Sequence, residues 1–396
     1  MMKNKTLFIA DMFRTLSIFL LVIFITLRSS AQPEKAEAEK AEAEIQTIMQ
    51  KLEVVGLSVA VVKNNKLFYT KAFGYKDIET KTPLASNHLF RIASISKSFS
   101  ATAVMKLVEQ GRLSLDADFG KLIGFPIRNP KHPDRIITLK MVLSHTSGIN
   151  DSQGYFNLDV INPAKNNNWA RCYNDYAPGE GYQYCNLNFN MLGAVLEKAT
   201  SIRFDNFIRQ QIITPLGLNA GYCVDSLNNE LFATLYELDS ATKMFKAATS
   251  AYAPRREEIV NYVMGYSTPI FSPTGGMKIS AVDLAKYMMM HMNFGKNKTG
   301  KGRRIISKKS ARLMQSVVAV KEGYGLALWN TDKLIKGKTL IGHTGSAYGL
   351  YSAMFFDPKK KFGFVVITNG CNPVYTEGTN EVLRSTINTL YETLIK

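Results

Sequence analysis

Ser94-Ile95-Ser96-Lys97 sets a hydroxyl and an amine three residues apart, within Phe90-Arg91-Ile92-Ala93-Ser94-Ile95-Ser96-Lys97-Ser98-Phe99. A helix carries residues at that spacing on one face. A lysine buried there loses stabilisation of its ammonium form, so its pKa falls and the free amine can take the serine proton. The start of a helix adds unpaired backbone N–H groups, which favour negative charge developing beside the serine. Apolar Phe99, Ala103, Val104, Leu107 and Val108 recur at helical spacing afterwards, and Gly111 supplies a stop. Ser240-Ala241-Thr242-Lys243 matches the same Ser-x-x-Lys pattern in a polar stretch without that periodicity. Ser94 is therefore the candidate nucleophile and Lys97 its candidate base.

Such a pair needs a second proton carrier and a group to hold the substrate. Tyr184-Cys185-Asn186 follows Pro178-Gly179-Glu180-Gly181 and precedes a helical stretch, Leu187–Thr200. Residues two apart in an extended segment face the same way, so Tyr184 and Asn186 can share a cleft while Cys185 turns inward. A phenol can relay a proton, and a carboxamide can hold both Lys97 and a substrate amide. Tyr155-Phe156-Asn157 has the same pattern but lacks the Pro-Gly approach and the helix behind it. A strand edge is the third requirement. Leu340-Ile341-Gly342-His343-Thr344-Gly345-Ser346 has apolar residues first and small ones after, as a strand lining a cleft requires. Gly345 lets a ligand approach the backbone, and the N–H of Ser346 can join that of Ser94 as an oxyanion hole. Lys298-Thr299-Gly300 reads as a solvated loop.

The elements that must position these residues fall into three stretches. Leu57–Val62, a turn at Lys63–Lys66 and Leu67–Thr70 read as a hairpin ahead of the nucleophile helix. From about residue 116 to 265, loops rich in Asn, Pro and Gly alternate with helical segments such as Leu187–Thr200 and Phe204–Ile213. Strands return at Gly323–Trp329, Thr339–Gly342, Leu350–Phe356 and Phe362–Thr368, and a last helix is expected over Glu377–Ile395. The expected architecture is an α/β domain, 54–115 with 266–396, interrupted by a mainly helical insertion, 116–265, with a ligand cleft between them. Residues 32–53, rich in Lys, Ala and Glu, read as a charged, solvated spacer helix.

Bulk properties narrow the function classes. The chain has 396 residues, 46% of them hydrophobic, enough to bury a sizeable core. Residues 1–31 read as an export signal: Lys3, Lys5 and Arg14 precede a mainly apolar run from Leu16 to Leu27, and Ser29 and Ala31 suit cleavage after Ala31. That run is short for a membrane span, so the mature protein is expected in the periplasm or secreted, without stable membrane insertion. Cleavage removes four basic residues and Asp11, taking the formal charge from +17 to +14. The basic residues are mostly dispersed, with one dense loop from Lys296 to Lys309, and no interleaved aromatics point to nucleic acid. Cys172, Cys185, Cys223 and Cys371 allow three full pairings or can be buried free thiols. His88, His132, His145, His291 and His343 form no metal-ligand spacing, so no metal site is expected. A monomer is the default expectation.

Ser94-x-x-Lys97, Tyr184-x-Asn186 and His343-Thr344-Gly345, in that order, resemble the three motifs of the class C β-lactamase and serine DD-peptidase family. Met141-Val142-Leu143-Ser144-His145-Thr146-Ser147-Gly148-Ile149 and Ser272-Pro273-Thr274-Gly275-Gly276-Met277 resemble further family stretches, and the likeness covers about residues 45–396. It implies a β-lactamase/transpeptidase-like fold, with an antiparallel sheet flanked by helices and an all-helical insertion. It also implies hydrolysis through an acyl-enzyme on a peptide or β-lactam substrate, with no cofactor. Ser94, Lys97 and Tyr184 would be catalytic; Asn186, His343, Thr344, Gly345 and Ser346 would bind substrate. Class C β-lactamases typically carry lysine where this chain has His343, and histidine there resembles the D-alanyl-D-alanine carboxypeptidase branch. β-Lactamases, esterases and amidases share the scaffold. A histidine titrating near neutral pH would hold a substrate carboxylate less well as pH rises.

Overall fold

The computed structural model describes residues 33–297 and 302–396. The expected signal segment, 1–31, and Lys298-Thr299-Gly300 lie outside the described residues. The first helix, α1 (Lys35–Lys51), leads into strands β1 (Gly56–Lys63), β2 (Lys66–Asp77) and β3 (Thr82–Pro83). The nucleophile helix α2 (Ser96–Glu109) follows, then short helices and loops, α3 (Asn186–Thr200) and α4 (Ala281–Met292). Strands β4 (Trp329–Ile335), β5 (Lys338–Ala347), β6 (Leu350–Asp357) and β7 (Phe362–Thr368) and helix α5 (Glu381–Leu390) complete the chain.

The strands form one seven-stranded sheet in the order β3-β2-β1-β7-β6-β5-β4, antiparallel at every pairing. Its two ends come from opposite ends of the chain and meet where β1 pairs with β7, Leu57 opposite Thr368. Side chains alternate across a strand. Leu57, Val59 and Val61 of β1 pack with Phe364 and Val366 beneath α1 and α5. Ala60 and Val62 face the opposite way, into a larger core shared with α2, α3 and α4. Both faces are covered, which is why β1 and β7 read as almost unbroken apolar runs.

Three expectations change. α1 is not a solvated spacer: Ala41 and Ile45 are fully buried in the core that α1 shares with α5 and the sheet. Its small and apolar residues form a seam that a count of charges conceals. The strand expected over Gly323–Trp329 begins only at Trp329, because Gly323 (φ 68°) and Ala327 (φ 57°) are left-handed and break the extended run. The intervening loop turns Tyr324 inward, 3% exposed. The last helix also starts later than expected, at Glu381, and ends in a wider turn over Tyr391–Ile395.

Candidate active site

The chain reaches Ser94 through a small sheet in which Phe90–Arg91 pairs with Lys278–Ile279. A tight turn, Ala93–Ile95, then feeds α2, with Ala93 in the left-handed region at φ 49°. Such a conformation costs about 1–2 kcal/mol for a residue with a Cβ. It is held by a buried setting, since Ile92, Ala93 and Ile95 are all in the core. Ser94 is thereby presented to a cleft of about 610 Å³ that Tyr184, Asn186, Thr274 and the end of β5 also line.

Lys97 is fully buried. Its Nζ lies 3.1 Å from Ser94 Oγ, 2.9 Å from Asn186 Oδ1 and 3.1 Å from the Thr274 carbonyl oxygen. Burial lowers its pKa to about 7, against smaller opposing pulls from Asp151 and Cys185. A neutral amine has two N–H donors and one lone pair. Asn186 Oδ1 and the Thr274 carbonyl take the donors, which leaves the lone pair for the Ser94 hydroxyl. The Tyr184 ring centroid is 4.6 Å from the same nitrogen. Burial raises the Tyr184 pKa, although its hydrogen bond with Ser94 pulls the other way. Tyr184 therefore stays a phenol at neutral pH, able to give a proton.

Asn186 is oriented by Asp151, whose place two residues beyond the His145-Thr146-Ser147-Gly148-Ile149 run was its only signal in the sequence. Asp151 Oδ2 accepts from Asn186 N at 2.8 Å and from Asn186 Nδ2 at 3.0 Å, and Oδ1 accepts from Leu187 N at 2.9 Å. One carboxylate thus caps α3 from outside and turns the amide oxygen of Asn186 toward Lys97. Thr274 Oγ1 donates to that same oxygen at 2.8 Å. His145, at φ 60°, accepts from Cys185 N through Nδ1 at 3.1 Å and packs its ring 4.4 Å from that of Tyr184.

β5 passes the nucleophile at Gly345. A Cβ on Gly345 would lie 2.2 Å from the Ile92 carbonyl oxygen and 3.1 Å from Ser94 N, so only glycine permits this approach. β4 pairs with β5 no further than Gly342, opposite Trp329. His343–Ala347 continue with β6 on one side only. Thr344, Gly345 and Ser346 consequently line the cleft on a free strand edge, the kind that receives an extended peptide backbone.

His343 departs from the expected neutral-range titration. Burial and the nearby Lys97 lower its pKa to about 4. Its Nδ1 pairs with the Thr344 carbonyl, which can only accept, so Nδ1 carries the proton. Nε2 then accepts from Tyr324 Oη at 2.9 Å. Both nitrogens are engaged and the ring is neutral, so His343 orients the strand edge and holds no carboxylate by charge at neutral pH. Tyr324 had no sequence signal, because it sat in what read as a strand.

The rejected candidates separate. Ser240 and Lys243 lie in an exposed turn between Tyr236–Leu238 and Phe245–Ala247. Tyr155 and Phe156 do line the cleft, while Asn157 caps a short helix over Leu158–Ile161. All four cysteines are free thiols, with Cys172, Cys185 and Cys371 buried. Among the described residues, no group of three or more His, Cys, Asp or Glu could hold a metal ion. No helix among them is long and apolar enough to cross a membrane.

Comparison with known proteins agrees with this architecture. The Protein flp of Staphylococcus aureus (strain MRSA252) is 25% identical over 334 residues, covering 82% of this chain and 61% of that protein. The chain thus spans about three-fifths of the length of such curated relatives. The octameric penicillin-binding protein homologue from Pyrococcus abyssi superposes with a TM-score of 0.70 at 26% identity, over 90% of this chain and 77% of the other. D-amino acid amidase from Ochrobactrum anthropi SV3 shares the fold at a TM-score of 0.69 and 20% identity, over 91% and 98%. The Beta-lactamase family model matches residues 41–386, so the chain belongs to the Beta-lactamase family of serine hydrolases.

Proposed function

We propose that the protein is an exported acyl-enzyme hydrolase of D-peptides, acting as a D-alanyl-D-alanine carboxypeptidase or a similar D-peptidase. The observation that carries this is the Lys97 amine, buried 3.1 Å from Ser94 Oγ at a free strand edge. Ser94 attacks the scissile carbonyl while Lys97 takes its proton; Tyr184 gives its own proton to the leaving amine and regains one from the Lys97 ammonium beside it, so both are restored. Backbone N–H groups of Ser94 and Ser346 receive the oxyanion, each such donor contributing about 3 kcal/mol to the transition state. Asn186 holds the substrate amide, and Thr344 meets the leaving-group end. Water then cleaves the acyl-enzyme. In this reading residues 54–115 and 266–396 form an α/β unit, and 116–265 a helical insertion that supplies Tyr184 and Asn186.

One observation favours a second reading, an esterase or amidase on the same scaffold. The neutral, doubly engaged His343 supplies no fixed positive charge for a terminal carboxylate. The deciding experiment follows intact mass over time after benzylpenicillin, alongside D-alanine release from a D-Ala-D-Ala peptide. A long-lived adduct in the wild type, none in Ser94→Ala, and release of D-alanine support the peptidase. Rapid release of opened drug identifies a β-lactamase. Hydrolysis of short esters without D-alanine release identifies an esterase, and an adduct that survives in Ser94→Ala overturns the assignment of the nucleophile.

A further inference from the structure

A second cavity, of about 220 Å³, opens off the cleft, and Arg91, Phe156, Ser272 and Tyr348 line both. Lys278 and Arg255 reach its wall, and among the described residues no carboxylate lines it. Lys278 is only 5% exposed, and its Nζ donates to the Tyr222 carbonyl. Arg91 gives Nε to the Gly275 carbonyl at 3.1 Å and Nη1 to the Ala251 carbonyl at 3.2 Å. Its guanidinium stacks 4.9 Å over the Tyr348 ring, and among the described residues no carboxylate pairs with it. Arg255 is already answered by Glu258 at 3.0 Å, and Glu237 lies in the main cleft. A buried lysine and a half-buried arginine therefore share one pocket with spare donors, and among the described residues no carboxylate lines it. That arrangement is unfavourable unless something anionic enters. Burial and the neighbouring Arg91 push the Lys278 pKa well down, as expected of an amine left without a partner.

The direction of β5 says which part of a substrate would reach this pocket. The strand passes Ser94 at Gly345, with Thr344 on one side and Tyr348 on the other. If the leaving group lies toward Thr344, as in the function proposed above, the acyl portion runs toward Tyr348 and the side pocket. We propose that Arg91 and Lys278 form a carboxylate subsite for the acyl portion of the substrate, so that the enzyme selects acyl groups ending in an acidic arm. An entering carboxylate favours the protonated form of the Lys278 amine, so guanidinium and ammonium can then both give charge-assisted hydrogen bonds, the strong, directional kind that such selection needs.

The test compares p-nitrophenyl esters of glutarate and of 5-methylhexanoate, in which an isopropyl group replaces the distal carboxylate. The wild type is expected to favour the glutaryl ester at least tenfold in kcat/KM. Lys278→Met should lower that ratio about tenfold, chiefly through KM. Lys278→Gln, which keeps a donor toward the Tyr222 carbonyl, guards against a folding defect and should do the same. Calorimetry of glutarate with Ser94→Ala protein should show binding that is lost when Lys278→Met is added. Equal ester rates, a ratio unmoved by either variant, or absence of glutarate binding overturns the subsite. Hydrolysis of both esters at wild-type rates by Ser94→Ala would instead overturn the acyl-enzyme reading, leaving the calorimetry to judge the subsite alone.

Discussion

Lys97 is fully buried and Tyr184 half-buried at the cleft wall, yet desolvation acts on them in opposite directions. It lowers the lysine to about 7 and raises the tyrosine, because each is pushed toward its neutral form. The pair is thus sorted at neutral pH into a free base and a protonated acid, as acylation requires. With a substrate that does not titrate, kcat/KM is expected to rise as pH increases through about 7 and then level off, since only the unprotonated amine can accept the serine proton. His343, with its pKa near 4, should add no inflection between pH 5 and 8. A pH–rate profile in which activity falls from pH 6 to 8 would contradict both statements. Asp151→Asn should leave the cap of α3 weaker by about 1 kcal/mol. It should also lower acylation at least tenfold, because the Asn186 amide loses the partner that fixes its orientation. Denaturant midpoints and single-turnover acylation separate the two effects.

At the level of elements, the cleft depends on how closely β5 approaches the turn before α2. Gly345 is the contact point: an added Cβ would meet the Ile92 carbonyl oxygen at 2.2 Å and Ser352 Oγ at 2.5 Å. Neither can yield freely, since Ser352 Oγ already donates to the Ile92 carbonyl at 3.0 Å. Gly345→Ala is expected to push the strand edge away from Ser94, with a stability loss of about 1–3 kcal/mol. Acylation should fall on the order of 10²-fold, as a displacement near 1 Å implies. The strand edge works because β4 stops short. Had β4 paired beyond Gly342, the backbone groups of His343–Ala347 that face the cleft would already be occupied.

The molecule as a whole buries histidines that must remain neutral. His291 has its pKa lowered to about 3 and His343 to about 4, both by desolvation. The folded values lie below the unfolded value near 6.5, so their contribution to stability is complete above that pH and is lost as pH falls through the window below it. Each can remove up to about 1.4 kcal/mol per pH unit. Urea midpoints are expected to drop between pH 6.5 and 4, and His291→Gln should flatten that slope relative to the wild type. An unchanged slope would show that His291 does not stay neutral in the folded protein.

Much of this architecture was legible in local patterns. The hairpin of β1 and β2, the helix behind Ser94 and strand β7 follow from residue periodicity and turn chemistry, which act over a few neighbours. The spacing of Ser94 with Lys97, and of Tyr184 with Asn186, likewise puts each pair on one face of one element. Other features arise only when distant segments meet. Asp151 reaches Asn186 across 35 residues, Tyr324 holds His343 from a loop that imitated a strand, and α1 hides Ala41 and Ile45 against the far end of the chain. The charge state of His343 belongs with these. Composition suggests a neutral-range titration, but desolvation and the nearby Lys97 decide it, and both depend on neighbours that only tertiary folding brings together.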